Sequence, residues 1–71
     1  MATDITSEIG FAAGDVYNLL KQKDKPIPLK MVTDGVQHDP RVTALAVGWL
    51  AREGNVNIIQ DQQRILISLK Q

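Results

Sequence analysis

Three observations predict a small α+β domain with three helices, a short strand after the first helix and a C-terminal β-hairpin. Apolar residues recur at helical spacing in two long segments, residues 9–20 and 42–50. Between them Asp39-Pro40 marks a helix start, an Asp at the cap position followed by a Pro that needs no amide partner. Beyond Gly54 the apolar period falls to two, the signature of paired strands with one buried face.

Residues 1–5 read as a loose N-terminal tail. The first helix opens at Thr6 or Ser7, where a hydroxyl can cap free amides and Glu8 favours the positive end. Ile9, Ala13, Val16, Tyr17 and Leu20 fall on its apolar face. Lys21 and Lys23 suit its negative end, and Lys25-Pro26 stops it. Pro26-Ile27-Pro28 supports only a short edge strand, because each proline lacks a ladder donor. A second helix fits Leu29 to Asp34, with Leu29, Val32 and Met31 turned inward, Gly35 as the residue just past its end, and Val36 as its hydrophobic contact. The third runs from Pro40 to about Glu53 and ends at Gly54. Val56 and Ile58 alternate with Asn57 and Ile59, and Ile65, Ile67 and Leu69 with Leu66, Ser68 and Lys70, a period-two hairpin around Gln60-Asp61-Gln62-Gln63. Helix, short strand, helix, helix, hairpin is the winged helix-turn-helix order, with all 71 residues in a single domain.

The segments IGFAAGDVYNLL and ALAVGWLAREGNV also resemble a family, the small uncharacterised winged helix-turn-helix domains of bacteria and archaea. Ile9, Gly10, Ala13, Gly14, Val16, Tyr17 and Leu20 carry the likeness in the first segment, and Gly48, Trp49, Leu50, Ala51, Arg52 and Glu53 in the second. It extends over roughly Ile9 to Leu69, and KPIPLKMVTDGVQHDP matches in its pattern of elements. The resemblance implies this fold and a DNA-binding ancestry. It brings no substrate, ligand or catalytic residue, so function has to be argued from surfaces.

At 100° per residue, the third helix groups Val42, Leu45, Ala46, Trp49 and Leu50 on one face, with Val47 at the margin. Arg41, Ala44, Gly48, Ala51 and Arg52 lie opposite, on the side that would enter a major groove. Base readout needs donors and acceptors there, and the middle of this face is Ala, Gly and Ala. A DNA-binding, regulator-like reading therefore rests on phosphate contacts by Lys30, Arg41, Arg52 and Arg64, giving weak, salt-sensitive affinity. The alternative is a protein-interaction or homodimerisation module. Its packing surface would be Ala44, Leu45, Gly48, Ala51 and Trp49, with Leu45 brought outward by a slight rotation of the core register. A glycine inside an exposed helix costs roughly 1 kcal/mol against Ala, so Gly48 asks for a close neighbour. Gly10, Ala13 and Gly14 form a second small stripe, expected to let helix three and Trp49 pack closely on helix one.

Composition narrows the classes further. Lys and Arg number eight and Asp and Glu number eight, a balance unlike the basic excess of a dedicated DNA binder. The absence of cysteine excludes a disulfide framework and a zinc ribbon. The acidic start MATDITSEIG lacks a signal-peptide core, and the longest apolar run, Ala44 to Ala51, is too short to span a bilayer, so a cytoplasmic location without membrane contact is expected. His38 beside Asp39 reads as a turn histidine, because Asp39 is committed to capping and no activated nucleophile accompanies the pair. GFAAG lacks the Gly-Lys-Ser/Thr of a phosphate loop, and the scattered carboxylates lack metal-loop spacing. The expectation is a non-enzymatic protein, without cofactor, metal or small-molecule ligand, acting on DNA or as a homodimer.

Overall fold

The computed structural model describes residues 2–70. Its elements are α1 (Thr6–Lys23), β1 (Ile27–Pro28), α2 (Leu29–Gly35), α3 (Pro40–Arg52), β2 (Val56–Asp61) and β3 (Arg64–Leu69). The strands form one antiparallel sheet in the order β1-β3-β2. The three helices cover one face of it, and β2 and β3 extend as the wing. This is the winged helix-turn-helix arrangement.

Local chemistry sets the helix ends. Asp39 caps α3 through its carboxylate, which accepts the Arg41 N–H at 2.7 Å, with Pro40 in the first turn. At the other end Asn55 N–H donates to Leu50 O at 2.9 Å and Gly54 N–H to Ala51 O at 3.1 Å. That is a Schellman closure, and it requires the left-handed backbone that Gly54 adopts at φ 83°. The start of α1 differs from the hydroxyl cap expected at Thr6 or Ser7. Ile5 holds the cap position, and Asp4 before it accepts both the Thr6 N–H at 2.8 Å and the Thr6 hydroxyl at 2.6 Å. The helix begins so that Ile5 occupies the cap position, which puts Thr6 inside the first turn with its hydroxyl donated to Asp4.

Gly35 also departs from expectation. It is the last residue of α2 and not a left-handed residue beyond it. Its lack of a side chain answers a close approach, since a Cβ there would come within 3.0 Å of Leu19 Cδ2 from α1. The hairpin is tighter than predicted. Gln60 and Asp61 pair with Ile65 and Arg64, leaving Gln62-Gln63 as the loop.

The core comprises Ala12, Ala13, Val16 and Leu20 of α1, Ile27, Val32, Ala46, Val47 and Leu50, with Val56 and Ile67 of the sheet. Tyr17 and Met31, placed inward by periodicity, are both exposed, and Leu29 is half-buried. The larger departure is in α3, whose buried face is Thr43, Ala46, Val47 and Leu50. Leu45 and Trp49 stand outside at 53% and 51% exposure. The stripe is turned by roughly 80° from the one that side-chain size suggests. The α1–α3 seam explains why. Alanines stand on the buried faces of both helices, Ala12 and Ala13 on one and Ala46 on the other. Axes that approach on alanines leave no room between them for an indole.

Candidate functional site

The outward face of α3 follows from that register. Arg41, Leu45, Gly48 and Arg52, at spacings of four, three and four, make one exposed stripe, flanked by exposed Ala44 and Trp49. Ala51, assigned from sequence to the same packing surface, is half-buried against the core instead, because the turned register carries it inward. The surface is therefore apolar in its middle, with two large side chains half in water and an arginine near each end.

The four cations nominated for phosphate contact do not assemble into one patch. Lys30 and Arg64 line a shallow depression of about 400 Å³ with Pro28, Leu29, Gln63 and Ile65. Arg41 lines another with Ile5, Glu8, Asp39 and Val42, and so lies among carboxylates. Arg52 stands eleven residues further along α3, about 16 Å at the helical rise.

Three of the four already hold an anion. Lys30 Nζ lies 3.0 Å from Asp34 Oδ2, one turn along α2, and Arg64 Nη2 lies 3.4 Å from Asp61 Oδ2. Arg41 grips Asp39 with two bonds, Nε to Oδ1 at 3.2 Å and Nη2 to Oδ2 at 2.9 Å. Those donated bonds, with the Arg41 backbone amide, hold the Asp39 carboxyl at about 2, and the same pairing raises the guanidinium. Arg52 alone of the four has no carboxylate partner among the described residues. Exposed pairs like these are weak and salt-screened, so each can open. A phosphate arriving at Lys30, Arg41 or Arg64 nevertheless meets a resident carboxylate as well as the cation.

A second surface lies between α1 and the end of α3. Gly10, Ala13, Gly14 and Tyr17 of α1 face Trp49, Leu50 and Asn55 across an open groove of about 360 Å³. Ala13 is buried in the core, but the glycines do not serve the close packing expected of them, for a Cβ added at Gly10, Gly14 or Gly48 would meet nothing within 4 Å. Periodicity cannot distinguish a glycine facing a neighbouring helix from one facing open space. His38 also does more than sit in a turn. Its Nε2 lies 2.7 Å from Asp15 Oδ2 and ties the α2–α3 connection to α1 across 23 residues of sequence. Among the described residues no group of three or more His, Cys, Asp or Glu side chains is placed to hold a metal ion. No helix among them is long and apolar enough to cross a membrane.

Comparison with known proteins agrees with this architecture. The family model described as "Winged helix-turn-helix domain (DUF2582)" matches residues 1–69. The uncharacterized protein MJ1608 of Methanocaldococcus jannaschii is 29% identical over 68 residues, covering 94% of this chain and 97% of its own. Among solved structures, a chain of HOP2, from work on its DNA recognition and protein interaction domains, superposes with a TM-score of 0.77 at 17% identity, covering 83% of this chain and 98% of that one.

Proposed function

The chain belongs to the DUF2582 family of winged helix-turn-helix domains, and from that premise we infer that it is a non-catalytic interaction module whose third helix docks a protein segment. One observation carries the reading. The stripe that would face bases in a DNA reader offers Leu45, Gly48 and Trp49 between its arginines, with no amide or carboxylate to select a base edge. Half-exposed aromatic and aliphatic side chains bordered by arginine suit the centre of a protein interface. The matching partner segment is apolar over Leu45 and Trp49 and carries a carboxylate opposite Arg52.

DNA is the second reading, favoured by Arg52, which has no carboxylate partner among the described residues, and by the likeness in fold to HOP2, whose structure was described in terms of both DNA recognition and protein interaction. Anisotropy titration of a mixed-sequence duplex at low and at moderate salt separates the two. No binding at low salt supports the protein reading, since that condition favours phosphate contacts. Binding that falls steeply with salt and is lost in Arg41→Ala or Arg52→Ala assigns α3 to DNA and removes the protein reading.

A further inference from the structure

The sheet has two edges, and only one of them is protected. β1 is two residues long and carries Pro28, which cannot donate. β2 is six residues long, VNIIQD, with no proline or lysine, and it bonds to β3 alone. Its pairing parity is fixed at both ends. Asp61 and Arg64 face each other across a two-residue loop, the position at which an antiparallel hairpin exchanges both bonds. Beyond the other end Lys70 N–H donates to Asn55 O at 3.0 Å. The odd-numbered residues of β2 therefore spend their backbone groups on β3, and Val56, Ile58 and Gln60 point theirs away from the sheet. Ile58 and Ile59 are 45% and 41% exposed on opposite faces of this strand, and Ile65 stands beside Ile58 on the helix side at 37%. An apolar edge strand with unspent donors and acceptors is a template for another strand.

We propose that β2 pairs antiparallel with β2 of a second copy, about a two-fold axis through Ile58. A second copy fits better than a foreign strand because one register pairs all three outward-pointing residues of the edge with those of its own copy. With Ile58 opposite Ile58, Val56 faces Gln60 and Asn57 faces Ile59, each on a shared face of the sheet. The three outward-pointing residues then exchange N–H···O bonds with one another. The only charge in the strand, Asp61, falls opposite Asn55 of the second copy, so no like charges oppose. A register centred on Ile59 would bond only Ile58 with Gln60 along the strand, because Val56 would then fall opposite Gln62 in the loop. The pairing is isologous and closes at two copies, since the proline-bearing β1 edges end the six-stranded sheet. Asn55 also lines the groove of Gly10, Gly14, Tyr17 and Trp49, so the wing tip of each copy arrives at the mouth of the other's groove. The inference is independent of what α3 binds, and it replaces α3 as the dimer surface.

Because the chain contains no cysteine, single thiols can report the interface. Residues opposed in a bonded antiparallel pair have Cα atoms about 5.5 Å apart, inside the span a disulfide tolerates. The expected results are a dimer of the wild-type chain by sedimentation at micromolar concentration, and a covalent dimer on oxidation of Ile58→Cys but not of Leu45→Cys. Ile58→Lys, which sets two ammonium groups across the axis, should weaken dimerisation roughly tenfold or more while leaving the circular dichroism of the fold intact. A sharp wild-type monomer, an undiminished dimer in Ile58→Lys, or crosslinking through Leu45→Cys alone would each overturn the proposal. DNA titration has no bearing on any of these outcomes, so the α3 reading and the β2 reading fail separately.

Discussion

The register of α3 decides which side chains this domain presents, and Thr43 provides its sharpest test. Thr43 is fully buried in the middle of the helix, and its hydroxyl has no hydrogen-bond partner among the described residues. A buried hydroxyl left unsatisfied costs about 1–3 kcal/mol of desolvation. Valine has nearly the same shape and nearly the same helix propensity, so Thr43→Val removes that cost without opening a cavity. The expected gain is about 1 kcal/mol or more, which in a domain of this size raises Tm by roughly 4–8 °C per kcal/mol. Thermal and urea unfolding followed by circular dichroism measure it, at one fixed protein concentration because association shifts apparent stability. The urea midpoint should rise with an unchanged slope. Leu45→Ala is the control. At 53% exposure it should cost far less than the 2–5 kcal/mol typical of a buried leucine. If Thr43→Val is destabilising and Leu45→Ala costs several kcal/mol, then α3 is turned the other way and the outward apolar stripe does not exist.

Three further expectations test the caps. Gly54→Ala forces a Cβ into the left-handed backbone of the Schellman closure and should lower stability by roughly 1–2 kcal/mol, read as a fall in the urea midpoint. Asp24 ends α1 with φ 56°, a conformation that an L side chain resists, so Asp24→Gly should raise stability by roughly 0.5–1 kcal/mol in the same assay. The Asp39 carboxyl is held at about 2 by the Arg41 hydrogen bonds, below its unfolded value of 3.8. A depressed carboxyl contributes stability that is complete above its unfolded pKa and lost as pH falls through the folded one, here between about 3.8 and 2. Carboxyl-carbon NMR titration should find Asp39 titrating in that low range in the wild type. In Arg41→Ala it should titrate nearer 3.8 while staying somewhat depressed, because the backbone amide at position 41 still donates.

What could be read without coordinates is what neighbours along the chain decide between themselves. Asp39-Pro40 and Gly54 act on backbone groups a few residues away, so the limits of α3 and the switch into the hairpin were plain from residue types. The strand alternation and the proline-bound Ile27 fixed the wing and the short edge strand in the same way. The exposed Lys30–Asp34 pair is likewise local, four residues apart on one helix. The site was far less legible, because it depends on what arrives from elsewhere in the chain. Helical periodicity ranks faces by apolar bulk and so turned Leu45 and Trp49 inward. The fold builds the α1–α3 seam on alanines and expels both. Asp15 meets His38, and Leu19 crowds Gly35, only once α1 lies against the α2–α3 turn. Interactions between near neighbours along the chain set the elements and their order. Tertiary packing decided the rotation of each element about its own axis, and with it which residues face water, because that rotation is set by how closely two surfaces approach.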